Sequence, residues 1–194
     1  MKILLASKSP RRRELLEMLR LSFEVVDLGN VKETYPEDMK KEEVPEHLSK
    51  LKADAYLPYL KEDELLITAD TVVILDNEIL GKPKDEEDAK KMLRTLAGRK
   101  HQVVSGVTVG TIKERVSFRT VTDVKFGELT DAQIDYYVDN FRPLDKAGAY
   151  GIQEWIGGVA VEGIDGSYYN VMGLPVHCLY KELCKFMPML PTDL

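Results

Sequence analysis

From Leu65 to Leu75 the chain reads Leu-Leu-Ile-Thr-Ala-Asp-Thr-Val-Val-Ile-Leu, apolar and β-branched apart from two threonines and one carboxylate. Such a run reads as a buried strand, closed by the turn residues Asp76-Asn77. A lone carboxylate inside it carries a desolvation cost unless a cation, a metal or hydrogen bonds answer it. Asp70 therefore needs a partner or an outward-facing position. Lys82, in Gly81-Lys82-Pro83, is near enough in sequence for a returning segment to bring it alongside, and a metal ion held by Asp70 and one further carboxylate is the sharper alternative.

The rest of the chain alternates strand and helix patterns around this run. Residues 2–6 form a short apolar strand, and Ser9-Pro10 is a helix start with serine as N-cap and proline in the first turn. That helix places Leu15, Leu16 and Leu19 on one face, and a strand-like pattern resumes at Phe23–Val26. A polar loop from Gly29 to Glu43 precedes a helix with Val44, Leu48, Leu51, Ala55 and Tyr56 on its inner face, which Pro58 bends or ends. Asp85 caps a helix stopped by Gly98; two β-rich stretches follow at about 101–112 and 115–126, and Thr130-Asp131 opens a helix with Ile134, Tyr137, Val138 and Phe141 inward. A glycine-rich block from Asp145 to Gly173 leads to a last apolar helix from about Leu174 to Phe186. The class is α/β, with a mixed sheet because hairpins join some strands, and no linker cuts the 194 residues into separate domains.

Composition narrows the function. With 33 acidic against 27 basic residues the net charge is −6, which argues against a sequence-independent grip on nucleic acid or an anionic membrane. Cys178 and Cys184 fit neither a disulfide framework nor a zinc pair and are read as reduced thiols. No apolar run reaches membrane-spanning length and the first residues lack the pattern of a signal peptide, so cytoplasm is the expected location. Walker-type phosphate loops, Gly-x-Gly-x-x-Gly, the Gly-x-Ser-x-Gly elbow and His-Glu-x-x-His do not occur, and His47, His101 and His177 are scattered.

One local basic cluster stands out against the acidic whole, Ser7-Lys8-Ser9-Pro10-Arg11-Arg12-Arg13. Arginines in a helix's first turn oppose its dipole by about 0.3–1 kcal/mol each when exposed, a penalty that a bound anion offsets. Two serine hydroxyls and forked guanidiniums suit a phosphate chain. A solvated basic helix start is the plain alternative. Glu33 and Lys52 look like ordinary surface charges when taken alone. The stretch Asp145-Lys146-Ala147-Gly148-Ala149-Tyr150-Gly151-Ile152-Gln153 combines small residues that permit close approach with a terminal amide able to read a base edge; a tight glycine turn explains it equally.

Taken together, Leu5-Ala6-Ser7-Lys8-Ser9-Pro10-Arg11-Arg12, Ala69-Asp70-Thr71-Val72, Gly81-Lys82-Pro83, the 145–153 stretch, Gly166-Ser167-Tyr168 and Asn170-Val171-Met172-Gly173-Leu174-Pro175 resemble the Maf family of nucleoside triphosphate pyrophosphatases. The resemblance spans nearly the whole chain. It implies one Maf-like domain over residues 1–194, an α/β fold of the Maf and inosine-triphosphatase type with a mixed twisted sheet flanked by helices and two lobes around a cleft, often as a cytoplasmic homodimer. It also implies a divalent metal, Mg2+ or Mn2+, aiding water attack on the α-phosphorus of a nucleoside triphosphate. Asp70 matches the family's proton acceptor, Glu33, Lys52 and Lys82 its polar catalytic positions, and Ser7, Ser9 and Arg12 its phosphate-contacting loop; Asp70 and Glu33 are the implied metal ligands. Arg11, Thr71 and Gln153 match the branch acting on dTTP and UTP. Lys32 stands where an acidic residue often precedes the glutamate, and Thr68 and Glu154 replace common glycines.

Two other classes are weighed. A haloacid-dehalogenase-like phosphatase needs an aspartate two residues before Asp70, where Thr68 stands. A non-catalytic nucleotide sensor regulating cell division would keep the binding residues; the presence of both Asp70 and Lys82 favours catalysis.

Overall fold

The computed structural model describes residues 1–27, 29 and 31–188. Its frame is a seven-stranded mixed sheet in the order β2-β1-β3-β5-β6-β7, with β4 paired to β3 off this path. The strands are β1 (Lys2–Ala6), β2 (Phe23–Val25), β3 (Glu64–Leu75), β4 (Glu78–Leu80), β5 (Lys100–Gly110), β6 (Arg115–Phe126) and β7 (Val161–Asp165). The helices are α1 (Pro10–Glu17), α2 (Val44–Tyr56), α3 (Glu86–Leu96), α4 (Asp131–Phe141), α5 (Trp155–Ala160), α6 (Tyr168–Met172) and α7 (Val176–Phe186). β1 runs parallel to β2 and β3, whereas the β3–β4 and β6–β7 pairs are antiparallel. The mixed sheet expected from the alternation of patterns is therefore present. The Asp76-Asn77 turn works because both residues adopt left-handed φ, 51° and 64°, which asparagine and aspartate tolerate better than most.

The chain forms two compact units. The first comprises Met1–Asp70, Ser105–Thr120 and the chain from Gly173. Leu4, Ala6, Ala53, Leu60 and Leu66 form one of its apolar clusters, between β1, the early part of β3 and α2. Gly106 lets β5 touch the start of α2: a Cβ there would lie 2.1 Å from the Glu46 backbone nitrogen, so no larger residue fits without moving the helix. The second unit comprises Thr71–Val104 and Val121–Met172. Its core includes Val73, Leu93, Leu96, Phe126, Ile134 and Tyr137, all essentially without solvent contact.

Helix boundaries follow their caps. Ser9 caps α1, Asp85 caps α3, and Thr130 closes a capping box with Gln133 at the start of α4. Several expectations need correction. The buried stripe of α2 is Val44, Pro45, Leu48, Ser49, Lys52 and Ala53: Val44 and Leu48 face inward as expected, Leu51 is half-buried and Ala55 exposed, so the stripe is shifted toward Ser49 and Lys52. α1 ends at Glu17, before Leu19, and Phe141 is largely exposed. The glycine-rich block is more structured than its composition implies, since it holds α5, β7 and α6. The loop from Gly29 to Glu43 is irregular where described, apart from a single 3-10 turn at Lys41–Glu43; Asn30 lies outside the described residues. Both cysteines are free, and among the described residues no helix is long and apolar enough to cross a membrane.

Candidate functional site

Asp70 stands where β3 outruns its neighbour. The parallel pairing with β1 ends at Ala6↔Thr68, two residues before Asp70, and β1 then releases its chain into the loop that starts α1. Ligand sites of open α/β sheets form at such carboxyl ends of parallel strands, beside a helix N-terminus.

The cation that answers Asp70 is Lys52, whose Nζ lies 2.5 Å from the Asp70 carboxylate. The same Nζ lies 3.2 Å from a Glu33 carboxylate oxygen. This corrects the expectation that Lys82 would be the partner, and it corrects the view of Lys52 as a solvated surface charge. Lys52 belongs to the buried stripe of α2, its side chain only 11% exposed, and Asp70's is 14% exposed. Neighbouring bonds fix the register: one turn earlier on α2, the Ser49 carbonyl accepts the Thr68 hydroxyl at 2.7 Å, so helix and strand are joined beside the ion pair. Ser49 and Thr108 hydroxyls bond at 2.9 Å on the other side.

Arg12 completes this cluster. Its Nε donates to the Gly173 carbonyl and its Nη1 to the Ala69 carbonyl, both at 2.9 Å, and Nη1 also reaches the Ser7 hydroxyl at 3.4 Å. Ser7 in turn accepts from the Ser9 N–H at 3.3 Å, and Ser9 accepts from the Arg12 N–H at 3.5 Å as the helix cap. The guanidinium is thus positioned by backbone carbonyls, which departs from the solvated helix start that is the plain alternative for this cluster. Burial pulls its proton affinity below the usual arginine value and Arg11 acts in the same direction, while Asp70 and Glu33 act the other way. Arginine nonetheless stays charged, and here it is a fixed positive group beside Asp70. Arg11 is half-buried and Arg13 exposed.

Ser7, Ser9, Arg11, Arg12, Glu33, Lys52 and Asp70 all lie in the first unit. Thr71, Lys82 and Gln153 lie in the second, Lys82 exposed on the loop after β4 and Gln153 exposed in the turn between Gly151 and α5. Around Gln153 the sequence pattern gives no warning of a polar network. The Tyr137 hydroxyl, on α4, donates to a Glu154 carboxylate oxygen and accepts the Gly151 N–H at 3.0 Å. Lys146, its side chain 9% exposed, sits 3.1 Å from the other Glu154 oxygen and 2.8 Å from Asp145. Gly148, at φ 68°, turns the chain against Val73, where a Cβ would lie 2.9 Å from a Val73 methyl. The usable signal is Glu154 itself, a carboxylate eight residues after a lysine in a block otherwise built of small residues.

Asn170 is structural in this setting: its amide donates to the Val103 carbonyl and to the Thr122 hydroxyl, both at 3.0 Å. His101 is a core residue, bonded through Nε2 to the Tyr150 hydroxyl at 2.8 Å and packed edge-on against Phe126 and Tyr150. Burial lowers its pKa from 6.5 to about 4, so it is neutral at ordinary pH.

Among the described residues no three His, Cys, Asp or Glu side chains cluster as a ready metal cage. Asp70 and Glu33 nevertheless converge on one Nζ, so both carboxylates face a common point. Two hard oxygen donors of this kind fit a cation that takes its remaining ligands from phosphate and water.

The fold is similar to that of a HAM1 protein from Coxiella burnetii, whose solved structure superposes with a TM-score of 0.52 at 14% sequence identity, covering 95% of this chain and 99% of that one. The sheet and its flanking helices thus define an α/β protein of that fold. Within it, the chain belongs to the Maf family, whose profile, described as Maf-like protein, matches residues 2–186. Curated relatives include a dTTP/UTP pyrophosphatase of Phocaeicola vulgatus, 54% identical over 184 residues and covering 95% of each chain. Another, from Porphyromonas gingivalis and of the same name, is 52% identical over 187 residues, covering 95% of this chain and 94% of its own.

Proposed function

We propose that this protein is a nucleoside triphosphate pyrophosphatase that hydrolyses dTTP and UTP to the monophosphate and pyrophosphate. The observation that carries the reading is the chain Glu33–Lys52–Asp70 with Arg12 fixed beside it at the carboxyl end of a parallel strand. A triphosphate repels any nucleophile, and fixed cations lower that repulsion while a held carboxylate accepts a proton. In this reading Asp70 accepts the proton of the attacking water, and Lys52 orients Asp70. Arg12, with Ser7, Ser9 and the positive end of the α1 dipole, receives the phosphates. Lys82 is assigned the part of a further cation for the phosphates, as the family resemblance implies. The water oxygen bonds to the α-phosphorus, the bridging α–β bond breaks and pyrophosphate departs.

Asp70 and Glu33 are the residues that would hold a divalent cation, Mg2+ or Mn2+, which when bound supplies charge neutralisation on the phosphates. Arg11, Thr71 and Gln153 are assigned to base selection: an amide can donate to and accept from the O4/N3 edge of uracil or thymine, a pattern that cytosine reverses. The names of the relatives support the substrate. We further read the protein as a cytoplasmic homodimer, in keeping with the family resemblance. The regulator reading is less favoured, because mere nucleotide binding needs no carboxylate held beside two cations at a desolvation cost.

A panel of nucleoside triphosphates with Mg2+ or Mn2+, with pyrophosphate and orthophosphate measured separately, tests the proposal. Pyrophosphate release from dTTP and UTP supports it. Orthophosphate release with accumulation of the diphosphate, or binding without turnover, contradicts it.

A further inference from the structure

The Gln153 turn is tied at both ends to one hydroxyl. Gly151 reaches the Tyr137 hydroxyl through its backbone N–H, and Glu154 reaches the same hydroxyl through its carboxylate. Between them Ile152 is buried at 6% exposure, so Gln153 is the one residue of residues 151–154 whose side chain is left exposed. Glu154 is also bound by Lys146, and Gly151 has no room for a side chain: a Cβ would sit 2.9 Å from the Glu154 carboxyl and 3.1 Å from the Lys146 side chain. Tyr137 itself has no freedom, being fully buried and stacked on Phe141 with ring centroids 5.1 Å apart.

We propose that Tyr137 and Glu154, braced by Lys146, are specificity-positioning residues that hold the residue 151–154 turn in one conformation so that the Gln153 amide meets the pyrimidine edge in a single register. This rests on the assignment of Gln153 as the base reader. Preorganisation matters here because hydrogen-bond discrimination requires the donor and acceptor to be placed before the base arrives; a turn free to shift by about 1 Å accommodates the wrong pattern as readily as the right one.

The test compares kcat/KM for UTP and CTP in the wild type, Tyr137→Phe, Glu154→Gln, Glu154→Ala, Gln153→Ala and the Tyr137→Phe/Gln153→Ala double variant. The UTP-to-CTP ratio should fall about fivefold or more in Tyr137→Phe, chiefly through a raised KM for UTP, and the second substitution should add nothing in the Gln153→Ala background, as coupled residues require. Glu154→Gln, which keeps an acceptor for the tyrosine, should retain more of the ratio than Glu154→Ala. Should Tyr137→Phe fail to fold, the two Glu154 variants, at a half-exposed position, carry the comparison. If Gln153→Ala lowers the ratio but the Glu154 and Tyr137 variants leave it at the wild-type value, the brace is overturned while the base-reading assignment stands. A ratio unchanged even by Gln153→Ala removes that assignment and the brace together.

Discussion

Around Asp70, charged side chains from separate stretches of sequence meet: Glu33 from a loop, Lys52 from α2, Asp70 from β3 and Arg12 from α1. Around Gln153, one continuous stretch from Asp145 to Glu154 folds against α4 and is held by the neutral Tyr137 hydroxyl and by Lys146, which pairs with both Asp145 and Glu154. In the first region Glu33, Lys52 and Asp70 are placed by one another's charge, with Arg12 fixed beside them by backbone carbonyls, so the energetics and the chemistry of the three are the same interactions. In the second, backbone position is set by hydrogen bonds and close packing, and the Gln153 side chain is left exposed. Removing a group from the first region should therefore cost turnover and stability together; removing one from the second should change selectivity.

The largest effect is expected at Asp70. Asp70→Asn should lower turnover by at least about a hundredfold, the range for loss of a general base. Its melting temperature should fall less than that of Lys52→Met, because in Asp70→Asn the lysine keeps Glu33, whereas in Lys52→Met the Asp70 carboxylate loses its closest cation. Breaking a buried pair from one side costs about 3–5 kcal/mol when the remaining charge is fully enclosed, and the partial exposure of this pair places Lys52→Met at the lower end. Denaturation of the two variants side by side checks the order; a Lys52→Met protein as stable as Asp70→Asn would break the proposed coupling of charge and stability.

His101 gives a pH contrast within the second unit. It is held neutral with a pKa lowered to about 4, while the unfolded chain protonates it near 6.5. The unfolded state therefore binds more protons between these values. Stability is untouched by this residue above pH 6.5, falls as pH drops from 6.5 to 4 by up to about 3 kcal/mol, and levels off below. His101→Asn should flatten that part of the stability profile, and a profile identical to wild type would show that another group sets it.

Gln153→Ala should narrow the preference for UTP over CTP by about tenfold, the equivalent of about 1.4 kcal/mol, with a smaller loss on the best substrate. Equal losses on both nucleotides would show that the side chain serves binding in general. The smallest effect concerns the α1 start: Ser9→Ala removes the cap hydroxyl and should cost about 1 kcal/mol of stability, measurable as a shift in denaturant midpoint at constant slope.

Much of the fold was legible because it depends on local signals. Serine before proline, Asp85, and the threonine–glutamine capping box mark helix starts, and the run from Leu65 to Leu75 could hardly be anything but a strand. Asp70 was legible as a site for the same reason, since a carboxylate in an apolar run needs an explanation. Its partner was not. Lys52 shares the buried face of α2 with Val44 and Leu48, but a lysine on a helix reads as a surface charge until the packing of Ser49 against Thr68 on β3 shows where that face lies. Nearness in sequence favoured Lys82, but nearness in space is decided by strand pairing. The Tyr137 hydroxyl was invisible for a related reason: an apolar helical stripe accounts for a buried tyrosine ring and says nothing about where its oxygen goes.

The central claim is that the Asp70 cluster directs water to the α-phosphorus. Hydrolysis of UTP in 18O-labelled water, followed by mass spectrometry of both products, tests it most directly. The account predicts the label in UMP and none in pyrophosphate; label in pyrophosphate would place the attack on the β-phosphorus and contradict it.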